Sequence, residues 1–196
     1  MACSAGLGLV TTDPQPAALL ETIVDALDRN HIPYMVVGSF ASTFHGEPRT
    51  TQDLDLVIDP TVDSLRRLLS ELDPSAFYVD ADTARDALDR RTMFNVIEMA
   101  TAWKVDLVIR RARPFSINEL GRRQRVTMLG VEVAAATAED TIIAKLEWAK
   151  AGNSDRQLDD VAGILRVRGS DIDRAYIESW ISALQLESQW ERARAR

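Results

Sequence analysis

Two aspartates that lie two residues apart are the clearest chemical signal in the sequence. Asp53 and Asp55 belong to the alternating run QDLDLVID at 52–59, which predicts a β-strand. Both carboxylates then project from one face, while Leu54 and Leu56 point into a core. Neighbouring carboxylates repel each other unless a cation or strong donors compensate. The pair therefore suits Mg²⁺, which prefers carboxylate and phosphate oxygens, although acidic pairs also occur on plain exposed strand faces.

A glycine turn precedes this pair. Gly38 and Ser39 follow the apolar run 34–37, a predicted buried strand, and lead into a helix predicted over 39–45. Glycine lets a phosphate approach the backbone closely, and the free N–H groups of a helix N-terminus favour an anion. Ser39 adds a hydroxyl and is suited to cap the helix. An ordinary strand-to-helix turn fits the same two residues.

A third acid occurs in a second predicted strand. Asp106 is the only charged residue within VDLVI at 105–109. A carboxylate in such a strand is costly unless it faces solvent or a site. If this strand lies beside 52–59, three carboxylates converge. Metal-dependent phosphoryl transfer uses such a triad, in which two ions about 4 Å apart stabilise the attacking and leaving oxygens and one acid serves as general base.

These motifs resemble a known superfamily. The Gly-Ser turn, the segment RTTQDLD at 49–55 and the later strand aspartate resemble the nucleotidyltransferases that include DNA polymerase beta, CCA-adding enzymes and aminoglycoside-modifying enzymes. Residues 140–165 resemble the helical region of the abortive-infection, toxin-type nucleotidyltransferases of the AbiEii/AbiGii group. The resemblance spans residues 34–165, which is most of the chain.

The resemblance implies roles for particular residues. The implied metal-binding and catalytic acids are Asp53, Asp55 and Asp106. The implied nucleotide-binding residues are Gly38, Ser39, Arg49, Lys145, Arg156 and Asp160. From the residues alone, Lys145 also suits the edge of a helical core. Arg156 and Asp160 also suit a helix-surface ion pair, because they are four residues apart.

The elements around these residues are predicted to change in character along the chain. Apolar periodicity predicts helices and strands up to about residue 135, and then helices alone. The predicted helices of the first part cover 17–29, 62–72 and 83–91. The predicted strands are an edge strand at 77–79, a hairpin that pairs 93–100 with 103–110, and a hairpin within 125–134. Capping boxes are expected at 137–140 and 154–157, a third cap at Asp171, and a fraying tail at 191–196.

We therefore predict an α+β fold with a small mixed or antiparallel sheet of nucleotidyltransferase type. Helices flank the sheet, and a C-terminal helical segment follows it. The predicted divisions are a flexible leader at 1–16, a nucleotidyltransferase core at 17–135 and a helical segment at 136–196 that packs on the core.

The composition of the chain argues against several kinds of site and partner. The single cysteine, Cys3, excludes an intramolecular disulfide and a cysteine-rich zinc site. The chain contains no run of roughly 18 apolar residues, so we expect a cytoplasmic protein without a membrane partner. The net charge of −7 argues against a broad nucleic-acid footprint. Residues 110–125 are an exception, with six arginines and one acid, Glu119. They suit either a solvated hinge face or a phosphate site.

The expected function is transfer of a nucleoside monophosphate from a nucleoside triphosphate, such as ATP, to an acceptor hydroxyl with Mg²⁺ as cofactor. The acceptor is an RNA 3′ end, a protein or a small molecule. The resemblance also implies a toxin of a toxin–antitoxin or abortive-infection system, with a cognate antitoxin as partner. A catalytically silent nucleotide-binding or interaction module and a Mg²⁺ phosphohydrolase are the alternatives.

Overall fold

The computed structural model of the protein describes residues 15–196, which form seven strands and nine helices. The strands are β1 (Tyr34–Val36), β2 (Asp53–Ile58), β3 (Phe77–Val79), β4 (Met93–Glu98), β5 (Lys104–Ile109), β6 (Gln124–Met128) and β7 (Val131–Ala135). The helices are α1 (Gln15–Arg29), α2 (Gly38–His45), α3 (Val62–Glu71), α4 (Ala81–Arg90), α5 (Pro114–Arg122), α6 (Ala138–Gly152), α7 (Asp155–Arg168), α8 (Arg174–Leu184) and α9 (Glu187–Arg194).

All seven strands join one mixed sheet in the order β3-β4-β5-β2-β1-β7-β6. The β2–β5 and β1–β7 pairs are parallel, and the other neighbours are antiparallel. The helices α6 to α9 follow the last strand. The predicted α+β fold with a mixed sheet and a C-terminal helical segment is thus confirmed.

The apolar residues of the central strands bury one face of the sheet. Three apolar pairs lie in register between the neighbouring strands β2 and β5, and all six side chains are buried: Leu54 with Val105, Leu56 with Leu107, and Ile58 with Ile109. They pack in one core with residues of α1, α3 and α4. Since strand side chains alternate between faces, the remaining residues of β2 and β5 point to the opposite face.

A second apolar core lies within the C-terminal helices, where α6 to α9 pack together with Phe115 of α5. His45, at the end of α2, ties this region to the sheet. Its Nε2 lies 2.7 Å from the carbonyl oxygen of Ala136, and Arg168 Nη2 lies 3.0 Å from its Nδ1. Burial lowers the pKa of His45 to about 4, so the ring is neutral and structural.

Five local predictions were wrong. Helix α5 was not predicted, because its apolar pattern is short; Pro114 begins it. The β4–β5 loop spans five residues, 99–103, rather than two. Helix α8 is capped by Asp173, which accepts a hydrogen bond from the Tyr176 N–H, and not by Asp171. The side chains of Ser154 and Ser39 make no capping hydrogen bond, and α2 begins at Gly38 after Val37.

The C-terminal tail does not fray as predicted. Residues 191–194 are the end of α9, where Ala193 is buried, and Arg196 forms ion pairs with Asp155 and Asp159 of α7. Most of the predicted leader, residues 1–14, lies outside the described residues, and Gln15 and Pro16 already belong to α1. Among the described helices, none has the length and apolar character needed to cross a membrane.

Candidate active site

Three carboxylates lie on the face of the sheet opposite the α1–α3–α4 core. The parallel register of β2 and β5 places Asp55 beside Asp106 and Asp53 beside Lys104. Asp106 is buried, and Asn95 of β4, its register partner on the other side, donates a hydrogen bond from Nδ2 to Asp106 Oδ1. Three neighbouring strands therefore build one acidic patch.

Asp55 is the acid that lies against the start of α2. Burial raises the pKa of its carboxyl, and the negative charge of Asp106 raises it further. A hydrogen bond from the Ser39 backbone N–H lowers the same pKa, as does the positive charge of Lys145. The start of α2 thus stabilises the ionised carboxylate, as a helix N-terminus stabilises an anion.

Gly38 is the residue that permits this contact. Its φ is +62°, a left-handed conformation that favours glycine. A Cβ atom built at this position would lie 2.0 Å from Asp55 Oδ2 and 2.6 Å from Asp55 Cγ. The turn therefore makes room for Asp55, whose carboxylate occupies the space where any residue other than glycine would place its Cβ.

Lys104 is a member of the site that the sequence analysis missed. Its Nζ lies 3.1 Å from Asp106 Oδ2 and 3.7 Å from Asp53 Oδ1. The hydrogen bond to Asp106 raises the pKa of the ammonium, and the charges of the acidic patch act in the same direction, against desolvation. The signal in the sequence was the spacing of Lys104 and Asp106, which puts both side chains on one face of β5.

The acidic patch suits a hard divalent cation by its donor chemistry. Its donors are carboxylate oxygens on one rigid sheet, and a cation, the Lys104 ammonium, already lies between two of them. Within residues 15–196, no three histidine, cysteine, aspartate or glutamate side chains are grouped closely enough to hold an ion as they stand. Metal binding would therefore require the carboxylates to converge and Lys104 to move.

A second polar cluster centres on Asp160 of α7. Its Oδ2 accepts a hydrogen bond of 2.7 Å from Lys145 Nζ of α6, and its Oδ1 lies 2.9 Å from Arg49 Nε. Arg49 also donates to Ser39 Oγ. Burial lowers the pKa of Lys145, while the adjacent Asp160 raises it. The Lys145 side chain is only 6% exposed, so it does not extend to solvent from a core edge.

Arg156 is the predicted site residue that the structure leaves apart from these contacts. It is exposed on the first turn of α7, and it makes no hydrogen bond or ion pair with another residue in the described chain. The alternative ion pair with Asp160 does not form either, because the Asp160 carboxylate is already held by Lys145 and Arg49. The other eight predicted site residues lie in the acidic patch, the glycine turn or the Asp160 cluster.

A cavity of about 370 Å³ extends from the glycine turn between the sheet, α5 and α6. Gly38, Ser39, Asp55 and Lys145 are among its lining residues, whereas Asp53 and Asp106 are not. Its volume lies in the range of small-molecule sites. Trp148 of α6 also lines the cavity and is 59% exposed. Only the folded chain brings this indole beside the predicted phosphate site.

The far wall of the cavity carries charged side chains from residues 110–125, the arginine-rich segment, and from α6. Arg113 forms a two-pronged ion pair with Glu147, with both N–O distances 2.6 Å. Glu119 is buried and forms no salt bridge within the described residues. Burial raises the pKa of the Glu119 carboxyl to about 8, and the charge of Asp140 adds to the rise, against Arg113.

The arginine-rich segment is neither a uniform hinge face nor a uniform phosphate site. Arg110 pairs with Asp59 at 2.8 Å, Arg113 with Glu147, and Arg122 with Asp140 at 3.1 Å. Three of its six arginines are thus bound to acids of other elements. Arg111 lines the cavity, is exposed and has no acidic partner among the described residues.

Comparison with solved structures identifies the fold. ANT(2″)-Ia in complex with adenylyl-2″-tobramycin is 14% identical, with a TM-score of 0.58 over 90% of this chain and 99% of that one. An antigenic nucleotidyltransferase-like protein from Paracoccidioides brasiliensis is 16% identical, with a TM-score of 0.56 over 90% of both chains. The lincomycin-bound lincosamide adenylyltransferase LnuA is 8% identical, with a TM-score of 0.52 over 80% of this chain and 98% of that one.

At these identities the likeness shows that the chain shares the fold of these three proteins, and it shows nothing further. No protein-family model and no curated protein matches the sequence.

Proposed function

We propose that the protein is a Mg²⁺-dependent nucleotidyltransferase that moves a nucleoside monophosphate from a nucleoside triphosphate to an acceptor hydroxyl. One observation carries the proposal: Asp55 and Asp106 lie side by side in register, next to Asp53, against a glycine turn that no other residue fits. A nucleotidyltransferase fold around these residues supports the same reaction.

The acidic patch would hold the metal through Asp53, Asp55 and Asp106. When bound, Mg²⁺ would neutralise the phosphates and stabilise the charge that develops during displacement. The turn at Gly38 and Ser39 would position Asp55, which fills the space at Gly38 and accepts from the Ser39 N–H. The phosphates would meet the remaining N–H groups at the start of α2.

The Asp160 cluster is suited to face a triphosphate. It contains two cations, Arg49 and Lys145, and one anion, Asp160, so its formal charge is +1. Arg49 contacts Ser39, and Lys145 lines the cavity beside Asp55. Asp160 orients both cations, because its Oδ2 accepts hydrogen bonds from Lys145 Nζ and Arg49 Nη2, and its Oδ1 lies 2.9 Å from Arg49 Nε. We therefore assign the β- and γ-phosphates to this end of the cavity.

In the proposed reaction, the acceptor hydroxyl oxygen forms a bond to the α-phosphorus. The bond between that phosphorus and the bridging oxygen of the β-phosphate breaks, and pyrophosphate leaves. Asp106 accepts the hydroxyl proton as general base. Asn95 donates a hydrogen bond to Asp106 Oδ1, which fixes the orientation of the acid.

The two substrates would reach the acids from different sides. The cavity begins at the glycine turn and is lined by Trp148, so it suits the nucleoside end of the nucleotide. Asp53 lies outside this lining with its side chain 53% exposed, so an acceptor can approach Asp106 from the open side. An open approach admits an RNA end or a protein hydroxyl. It also admits a small molecule, as the tobramycin adduct of ANT(2″)-Ia illustrates for that enzyme.

The finer relationship to the AbiEii/AbiGii group, and with it a toxin role and a cognate antitoxin, is also part of the proposal. It rests on residues 140–165. The ion pair that joins Lys145 to Asp160 supports it, because it links the two helices of that motif.

The experiment that tests the proposal is incubation of the purified protein with each α-labelled nucleoside triphosphate, Mg²⁺, and either RNA, protein or small polyols as acceptor. We expect label on one acceptor class and its loss in Asp106→Asn. Asp25→Asn, at an exposed position of α1, is the matched control. Undiminished labelling by Asp106→Asn would refute the assigned base, and labelled products of hydrolysis without a labelled acceptor would favour a phosphohydrolase.

A further inference from the structure

Lys104 occupies an unusual position for a strand lysine. Its ammonium lies between two carboxylates, 3.1 Å from Asp106 Oδ2 and 3.7 Å from Asp53 Oδ1. The contacts follow from the register, since Lys104 lies opposite Asp53 and two residues before Asp106 on the same face. A rigid sheet therefore places this one cation among the acids.

The ammonium and a metal ion would compete for the same oxygens. The patch contains three carboxylates and one ammonium, a formal charge of −2 in the protein alone. A divalent ion at these carboxylates would lie close to the ammonium, and two cations at such a distance repel each other. The Lys104 side chain is 38% exposed, so its flexible stem has room to swing towards solvent.

A displaced ammonium needs a new partner. Free Mg²⁺ brings no anion that could replace Asp53 and Asp106 in binding Lys104. A nucleoside triphosphate brings several phosphate oxygens to the same surface, and an ammonium binds phosphate well. The exchange of the carboxylates for phosphate is therefore favourable when the ion arrives together with the nucleotide.

We propose that Lys104 is an internal cation that takes the metal position in the metal-free protein and couples metal binding to nucleotide binding. Lys104 neutralises Asp53 and Asp106 at rest, withdraws when the metal–nucleotide complex arrives, and then contacts a phosphate. The inference rests on the metal site of the proposed function. It adds a residue that positions the carboxylates. It also adds an order of binding, in which the metal arrives together with the nucleotide.

Direct titration of Mn²⁺, followed by electron paramagnetic resonance of the free ion, tests the coupling without any turnover. In the absence of nucleotide we expect Lys104→Met to bind Mn²⁺ about tenfold or more tightly than the unchanged protein. We also expect Lys104→Met to unfold at a lower temperature in a chelator, because the carboxylates then repel each other, and Mn²⁺ to restore that temperature. Lys104→Arg should keep the weak binding.

Three controls make the result interpretable. Arg125→Met removes one positive charge from an exposed position of β6 and should leave Mn²⁺ affinity unchanged. Lys104→Gln, which keeps a polar side chain, provides a second charge-free variant if Lys104→Met folds poorly. Adding Asp106→Asn to either variant should abolish the gain.

Equal or weaker Mn²⁺ binding by both charge-free variants would overturn the proposal, and so would a gain that survives Asp106→Asn. Tight nucleotide-independent binding by the unchanged protein would overturn it as well. Failure of label transfer would count against the proposed function alone, because the titration needs no acceptor and no reaction.

Discussion

The two faces of strands β2 and β5 have different roles, since one forms the core and the other forms the acidic patch. On one face, the buried pairs beginning with Leu54 and Val105 pack against helices and make the core. On the other, Asp53, Asp55 and Asp106 gather like charges that Lys104, Asn95 and the start of α2 only partly compensate. The first face stabilises the fold, and the second retains electrostatic repulsion. The same two strands therefore provide both the rigidity and the site, and substitutions should separate the two.

Asp55→Asn should separate activity from stability most strongly. We expect transfer to fall by about a thousandfold, because a metal ligand and its charge are lost. We also expect the protein to become more stable near neutral pH. The raised pKa of Asp55 means that stability falls as pH rises through that pKa, and asparagine removes this loss while it still accepts from the Ser39 N–H. Rates and unfolding curves of the same preparation would check both. A variant with normal activity or lower stability would break the comparison.

Gly38→Ala should damage the acidic face without changing a charge. The new Cβ would collide with Asp55 Oδ2, so the carboxylate must move. We expect transfer to fall by about a hundredfold, since a displacement of about 1 Å has that effect on aligned groups. Steady-state kinetics would measure it. Gly130→Ala, at a positive-φ position with open space around it, controls for backbone strain. Equal losses in the two variants would contradict the role of Gly38.

Leu56→Ala probes the opposite face at the neighbouring residue. Leu56 is fully buried, so the cavity should lower the free energy of unfolding by about 3 kcal/mol. Activity per folded molecule should stay near that of the unchanged protein. Denaturant titration together with the transfer assay would measure the two quantities. A loss of activity without a loss of stability would show that the faces are not separable.

Glu119→Gln tests how a buried carboxyl at the far wall of the cavity affects stability. Because the folded pKa of Glu119 is about 8 and the unfolded value is near the ordinary 4.5, the folded state holds a proton that the unfolded state has lost. Stability of the unchanged protein should therefore fall between about pH 4.5 and 8. The variant should lack that component and exceed the unchanged protein most above pH 8. Thermal unfolding from pH 5 to 9 would test this, and parallel pH curves would refute it.

Trp148→Ala should have the smallest effect. Loss of stacking on the nucleobase should raise the nucleotide KM about tenfold, with little change in kcat. Trp148→Phe keeps an aromatic face and should recover most of the affinity. Quenching of indole fluorescence on nucleotide addition should also disappear in both variants. An unchanged KM in Trp148→Ala would place the nucleoside elsewhere.

Local patterns in the sequence were sufficient for the fold class and for the acidic face. Alternation in 52–59 places Asp53 and Asp55 on one strand, and the run of β-forming residues in 103–110 places Asp106 on another. The register that sets Asp55 beside Asp106 is a long-range pairing, so the sequence allowed only a conditional statement about it.

The missed features depend on contacts between distant segments. Lys104 resembles any exposed strand lysine until β2 lies beside it. Glu119 and Trp148 belong to different helices, and only the folded chain brings both to the cavity. Helix α5 itself has too short a pattern to predict. The alternative pair of Arg156 and Asp160 does not form, and local spacing cannot reveal that Lys145 and Arg49 bind the Asp160 carboxylate instead.

The central claim is that the acidic face transfers a nucleoside monophosphate, and the ratio of the two products tests it most directly. With a doubly labelled nucleoside triphosphate, Mg²⁺ and the acceptor, we expect one pyrophosphate for each acceptor-bound monophosphate. We expect both products to fall together by about a thousandfold in Asp55→Asn. Release of orthophosphate in place of pyrophosphate, or an undiminished yield of both products from Asp55→Asn, would contradict the claim.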